Sequence, residues 1–243
     1  MTARLMAPAL SQPGRKAPSG VLPRWAALAC LGLCAPAVGA EKAAPDPAQA
    51  RAAGWQELFD GRTLRDWKPS NFATQSQVAV ERPFRGGEGA IVMELGEQLS
   101  GITWAGAPNL PEVNYELALE AMKLEGQDFF CGLTFPVGRA ACTLIVGGWA
   151  GTIVGLSSVD DLDASENETM SSRAFERLRW YRIRVRVTAE KIEAWIDDEP
   201  VIALPTKGRK IDLRYGGIEN SLPLGIAAYQ TRAAIRGIRL RRL

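Results

Sequence analysis

From about residue 54 onward the chain runs in short segments rich in apolar and β-branched residues, punctuated by Gly, Pro, Asn and Asp. The clearest span Ala90 to Leu95, Asn114 to Met122, Phe129 to Phe135, Thr143 to Val146, Thr152 to Leu156, Trp180 to Val187, Lys191 to Ile196 and Leu224 to Tyr229. Segments of this length and composition, bounded by turn formers, read as strands. Between Tyr181 and Val187 the alternation is strict: Tyr181, Ile183, Val185 and Val187 fall on one face and Arg182, Arg184 and Arg186 on the other. This pattern predicts a half-buried strand with one wet face. Thr188-Ala189-Glu190 and Asp197-Asp198-Glu199-Pro200 then turn the chain twice in quick succession, as an antiparallel meander requires. No stretch sustains a helical period with caps. The expectation is an all-β fold, an antiparallel two-sheet β-sandwich.

The first forty residues break this pattern. They hold Arg4, Arg15, Lys16 and Arg24 with no acidic residue, then an apolar run from Trp25 to Ala35, then Val38-Gly39-Ala40. That is the layout of a secretory signal peptide cleaved before Glu41, with an apolar run too short to span a bilayer. Residues 1–40 are therefore read as a signal, 41–53 (Ala- and Pro-rich) as a flexible leader, and 54–243 as the domain. The destination is periplasmic or extracellular. Lipid attachment at Cys30 fits less well, because the apolar stretch before it is short.

Export changes the charge. Removing the four basic residues of the signal from 29 Lys and Arg leaves 25 against 27 acidic residues, so the mature chain is slightly acidic. It lacks the basic footprint of a nucleic-acid binder. Arg236, Arg239, Arg241 and Arg242 crowd the C-terminus but alternate with Ile235, Ile238 and Leu240, as on the wet face of a last strand. Two cysteines remain, Cys131 and Cys142, and either a bridge or two buried thiols is compatible with their spacing.

The chain contains no histidine. This removes Ser-His-Asp and Cys-His catalysis and every His-containing zinc site, leaving proton transfer to Asp, Glu, Lys, Tyr or water. No Lys-Ser or Lys-Thr phosphate loop and no dinucleotide fingerprint is present.

The run Leu58-Phe59-Asp60-Gly61-Arg62-Thr63-Leu64-Arg65-Asp66-Trp67-Lys68 resembles the opening of the 3-keto-disaccharide hydrolase family. The likeness continues through Tyr115 to Glu120, Trp180 to Val185, Ala194 to Asp198, Leu224 to Ile226 and Ile235 to Leu240, and so covers most of residues 55 to 243. It implies a concanavalin-like jelly roll and cleavage of glycosides previously oxidised at C3 by a partner sugar 3-oxidoreductase. Where the family carries Asn-Ser-Gly, this chain has Gln127-Asp128-Phe129-Phe130-Cys131-Gly132.

Five residues are candidates for the site. Glu120 stands at the family's strand glutamate and shares a face with Glu116, Ala118 and Met122; on the concave face it would be a catalytic base, otherwise a salt-bridged sheet residue. Asp128, at the mouth of the next strand, is the second candidate base or a turn cap. Trp149, set among Gly147, Gly148 and Gly151, could stack on a pyranose ring or pack within a hairpin. The stretch Asp160 to Thr169 holds five carboxylates, which would suit a divalent cation, Ca²⁺ or Mn²⁺, though without EF-hand spacing; a solvated acidic loop is the bland alternative. From it Asn167 and Glu168 are candidates for hydrogen bonds to sugar hydroxyls. Two functions stay open: a hydrolase or lyase of 3-keto-glycosides, and a non-catalytic lectin-like or extracellular interaction domain.

Overall fold

The computed structural model describes residues 54–107 and 110–243; the signal and leader assigned to residues 1–53 lie outside them. Two antiparallel sheets face each other, with strands numbered along the chain. The first sheet runs β13 (Glu199–Pro205), β12 (Lys191–Ile196), β11 (Trp180–Val187), β6 (Tyr115–Gly126), β15 (Thr231–Arg242), β4 (Ala90–Met93), β3 (Val78–Glu81), and β1 (Gln56–Glu57) pairs with β15. The second runs β10 (Ser171–Ser172), β9 (Ile153–Ser157), β8 (Ala140–Gly148), β7 (Cys131–Val137), β14 (Gly225–Tyr229), β5 (Leu99–Trp104), β2 (Trp67–Pro69). The helical content among the described residues is one 3₁₀ turn, Ile218–Ser221.

The expected alternation sets the layers. Tyr181, Ile183, Val185 and Val187 of β11 enter the core with Leu117 and Leu119 of β6, against Leu133, Phe135, Leu144, Leu156 and Ile226 of the opposite sheet. Each such side chain contributes about 1.5–3 kcal/mol on burial. Tyr115 ties the layers together, its hydroxyl donating to Pro136 O at 2.6 Å. On β15, Ile235 and Ile238 both face the core although three residues apart. A bulge at Gly237, where φ is +59°, absorbs the extra residue.

Asp60 accepts the N–H groups of Arg62 and Thr63 at 2.7 and 2.8 Å, and the Thr63 bond leads the interactions that hold its carboxyl below the ordinary aspartate value. Phe59 and Trp67 drop into the core, with Leu64 partly buried against it. Cys131 and Cys142 are free, buried thiols. They lie opposite Val146 and Phe135 respectively, four residues apart along the β7–β8 ladder and out of bonding reach.

Candidate functional site

The outward face of the second sheet is built from small and hydroxylated residues. Thr134 and Thr143 share a hydrogen bond across β7 and β8 at 2.8 Å, and Gly132 leaves space for Phe129 to fold back over the strand. A Cβ at Gly132 would come within 2.9 Å of that ring. Phe129 in turn stacks on Tyr229 of β14, centroids 5.9 Å apart.

One side of this face is bordered by the turn joining β8 to β9, where Trp149 and Ala150 adopt left-handed backbone with φ of 45° and 64°. Asp128 pins that turn. Its Oδ1 accepts Phe129 N at 2.8 Å and its Oδ2 accepts Ala150 N at 3.3 Å. Thr231 fixes the Asp128 backbone, accepting its N–H at 3.1 Å and donating to its carbonyl at 3.0 Å. Nearby, burial pushes the Lys123 amine below its ordinary value, opposed by the charge of Asp128.

The other border is a strap, residues 206–224, that leaves the first sheet after β13 and crosses to β14. Ile211 bridges Val159, and Ser158 and Asp212 exchange backbone hydrogen bonds at 2.8 and 3.3 Å. Farther on, Ile218 seats the strap on Phe72 and Ala227, with Leu213, Leu99 and Phe129 alongside.

Between turn and strap lies a cavity of about 360 Å³. Thr143, Ile145 and Ser157 of the sheet line it, with Trp149, Phe129 and Tyr229 as aromatic walls and Arg214 and Tyr215 from the strap. Trp149 is 37 % exposed and Tyr215 96 % exposed, so both offer ring surface to a ligand. Among the lining residues Asp128 is the only carboxylate and Arg214 the only cation. Arg214 lies 5.9 Å from the Trp149 ring centre.

The structure therefore brings Asp128 and Trp149 together and sets the other three candidates elsewhere. Glu120 is on the outward face of the first sheet, on the far side of the sandwich. It is 8 % exposed and accepts Arg236 Nε at 2.5 Å, which is its salt-bridged alternative. Its neighbour Glu116 accepts from Arg184, Arg186 and Arg241. The expected grouping of Glu120 with Asp128 and Trp149 is corrected by the topology: β6 belongs to one sheet and the cavity to the other.

Asn167 is 6 % exposed. Its Nδ2 donates to the carbonyls of Leu156, Leu162 and Asp163, and its Oδ1 accepts from Thr169 N and Oγ1. It organises the acidic loop from within and has no group left for a sugar. Glu168 pairs with Arg209 on the outside of the loop and does not line the cavity.

The acidic loop itself is neither loose nor merely solvated. Asp160 pairs with Arg209, Asp161 with Lys210 and Asp163 with Arg214, so it clasps the strap. Among the described residues no group of three or more Asp, Glu, Cys or His is arranged to hold a metal ion. Sequence reasoning missed Arg214, Tyr215 and Tyr229. The pairing of Tyr215 with Gly216-Gly217 was a signal of the same kind that flagged Trp149.

The architecture is an antiparallel two-sheet jelly roll with an aromatic-walled cavity on one outward face. Residues 54–241 match the family described as the 3-keto-alpha-glucoside-1,2-lyase-like domain, and the chain belongs to that carbohydrate-active family. No curated protein matches the sequence. Among solved structures the chain is similar to a Crh5 transglycosylase in complex with NAG, at TM-score 0.50 and 11 % identity over 79 % of this chain and 85 % of that one. It is also similar to a carbohydrate binding module from Bacillus subtilis, at TM-score 0.47 and 11 % identity over 72 % and 95 %. A third is domain 4 of AbnA, an extracellular arabinanase from Geobacillus stearothermophilus, in complex with arabinotriose, at TM-score 0.46 and 11 % identity over 78 % and 91 %. At 11 % identity the likeness to the Crh5 transglycosylase is one of fold.

Proposed function

We propose that this domain is an exported hydrolase or lyase that cleaves 3-keto-glycosides in the cavity between the Trp149 turn and the strap, with Asp128 as its base. The observation that carries this is the lone carboxylate. Ordinary glycoside hydrolysis uses two carboxyl groups flanking the bond, whereas the cavity lining supplies only Asp128.

One base is enough when C3 is a ketone. The ketone acidifies the C2 hydrogen, and Asp128 takes that proton. The electron pair moves onto the C3 oxygen and then returns to form C1=C2 as the C1–O bond breaks. The departing oxygen regains a proton from the Asp128 carboxyl, and water added across the double bond makes the overall reaction a hydrolysis. Trp149 and Tyr215 would hold the rings by stacking. Such a substrate has to be supplied by an oxidoreductase acting at C3. Among the described residues no helix is long and apolar enough to cross a membrane.

The test is incubation of the purified protein with 3-keto-trehalose and 3-keto-lactose, with and without Ca²⁺ or Mn²⁺, following sugar release by chromatography. Release should fall at least about 10²-fold in Asp128→Asn, the usual worth of a positioned base, and persist in Glu120→Gln. The exposed rings of Trp149 and Tyr215 favour a second reading, non-catalytic saccharide binding. Saturable change of Trp fluorescence with saccharides but no release from either ketodisaccharide would establish it and sink the enzyme.

A further inference from the structure

We propose that Arg214 receives the negative charge that develops on the C3 oxygen of the substrate, and that Asp163 is its positioning residue. The inference deepens the lyase reading and rests on it. Proton removal from C2 puts charge on the C3 oxygen before the glycosidic bond breaks, and a fixed cation at that point stabilises the step more than any contact made equally in the ground state. Among the cavity's lining residues Arg214 is the one cation. Its guanidinium carbon lies over the Trp149 ring, 5.9 Å from the centre, within reach of the oxygen substituents of a pyranose held between the two.

A flexible arginine on a strap would be a poor electrostatic catalyst unless tethered, and here an ion pair to Asp163 ties the largely exposed side chain to the acidic loop. Arg214 Nε lies 3.3 Å from Asp163 Oδ2, leaving the guanidinium's terminal donors for the ligand. The other oxygen, Asp163 Oδ1, accepts Ser157 Oγ at 3.0 Å, and Ser157 belongs to β9 in the cavity floor. The Asp163 carbonyl accepts Asn167 Nδ2 at 2.7 Å and Asn167 N at 3.1 Å. Sheet, acidic loop and strap thus converge on one carboxylate. Upstream, Lys210 N donates to Asp160 Oδ1 at 2.8 Å and Lys210 Nζ pairs with Asp161, so the strap is anchored before it reaches Arg214. Downstream, Gly216 and Gly217 take φ of 129° and 108°, a conformation other residues rarely adopt, and their ideal Cβ positions meet at most Leu99 at 3.7 Å. These glycines serve backbone shape rather than close packing.

The experiment uses the full protein, Arg214→Ala, Asp163→Asn and the double variant. Turnover of 3-keto-trehalose is measured alongside fluorescence titrations with trehalose and with 3-O-sulfotrehalose, whose charge lies at O3. Arg214→Ala should lower kcat about 10²-fold, the scale of losing one charge-stabilising donor, with the Kd for trehalose within about twofold. Asp163→Asn, which can still accept from Ser157, should lower kcat about tenfold in the wild-type background and by nothing further on Arg214→Ala, because the two act as one unit. Equal losses in both backgrounds, accompanied by a lowered Tm, would make Asp163 a structural residue and overturn its assignment. The wild type should bind the sulfated disaccharide about fivefold more tightly than trehalose, as a partly exposed charge pair allows, and Arg214→Ala should abolish the preference. If ketodisaccharides are not turned over, the lyase reading fails while the sulfate preference still decides whether Arg214 recognises charge at O3. An Arg214→Ala protein unchanged in both readouts overturns the inference.

Discussion

Glu116 offers the sharpest test of how the far face of the sandwich is held together. It is 0 % exposed, yet its carboxylate accepts Arg184 and Arg186 on Oε1 at 2.8 Å each and Arg241 on Oε2 at 2.6 Å. Burial by itself would raise this carboxyl; the hydrogen bonds from Arg186 and Arg241 and the charges of Arg241 and Arg184 outweigh it and hold the group below the ordinary glutamate value. In Glu116→Gln the volume is kept, but an NH₂ faces a guanidinium where an acceptor stood and three cations lose their common anion. Breaking a buried ion pair costs about 3–5 kcal/mol. The arginines are partly exposed and can rehydrate, so the lower end, about 3 kcal/mol, applies, or roughly 6–12 °C in Tm for a domain of this size. Because the folded pKa is depressed, the stabilisation from ionised Glu116 is fully present above the unfolded value, about 4.3, and is lost as pH falls through the folded one. Urea denaturation of wild type and variant at pH 7 and pH 3 should therefore show a gap that narrows in acid. A gap under about 0.5 kcal/mol at pH 7, or one that is the same at both pH values, would refute the reasoning.

Two further outcomes follow from buried groups. Asn167→Ala should destabilise the domain by about 2–3 kcal/mol, since it removes three bonds to backbone carbonyls and takes the acceptor from two donors of Thr169; Asn167→Asp should cost more, because it turns an acceptor toward the same carbonyls, and a denaturation midpoint unmoved by either change would contradict the loop geometry. Cys131 and Cys142 should resist a thiol reagent in the native state and label on unfolding, as peptide mapping by mass spectrometry can read: burial raises the Cys131 thiol well above its ordinary value and pushes Cys142 up to about 12. Rapid native labelling of either would place that strand at the surface.

The division between what the residue pattern reveals and what it conceals follows from the range of the interactions. Strand β11 is legible because a period of two is local: Ile183 and Arg184 declare their faces without reference to any other strand. Strand β5 was hidden, since Leu99-Ser100-Gly101-Ile102 has a glycine at its centre. That glycine is required by another strand, where Ile226 O would lie 2.6 Å from a Cβ at Gly101. The same limit governs the site. Alternation places Glu120 correctly beside Glu116 and Met122, and both glutamates are indeed paired with arginines from β11 and β15. Which of the two sheets carries the cavity depends on where residues 206–224 cross, and their course depends on contacts with Val159, Phe72 and Ala227 far away in the chain. The acidic loop shows the point most clearly. Its density of carboxylates is a local fact that a metal, water or basic residues could equally satisfy; the choice is made by Arg209, Lys210 and Arg214, whose ion pairs with it span roughly fifty residues of chain. A charge-rich loop read alone therefore underdetermines its chemistry, and its oppositely charged partner segment is the thing to seek: here that partner forms one wall of the cavity as well.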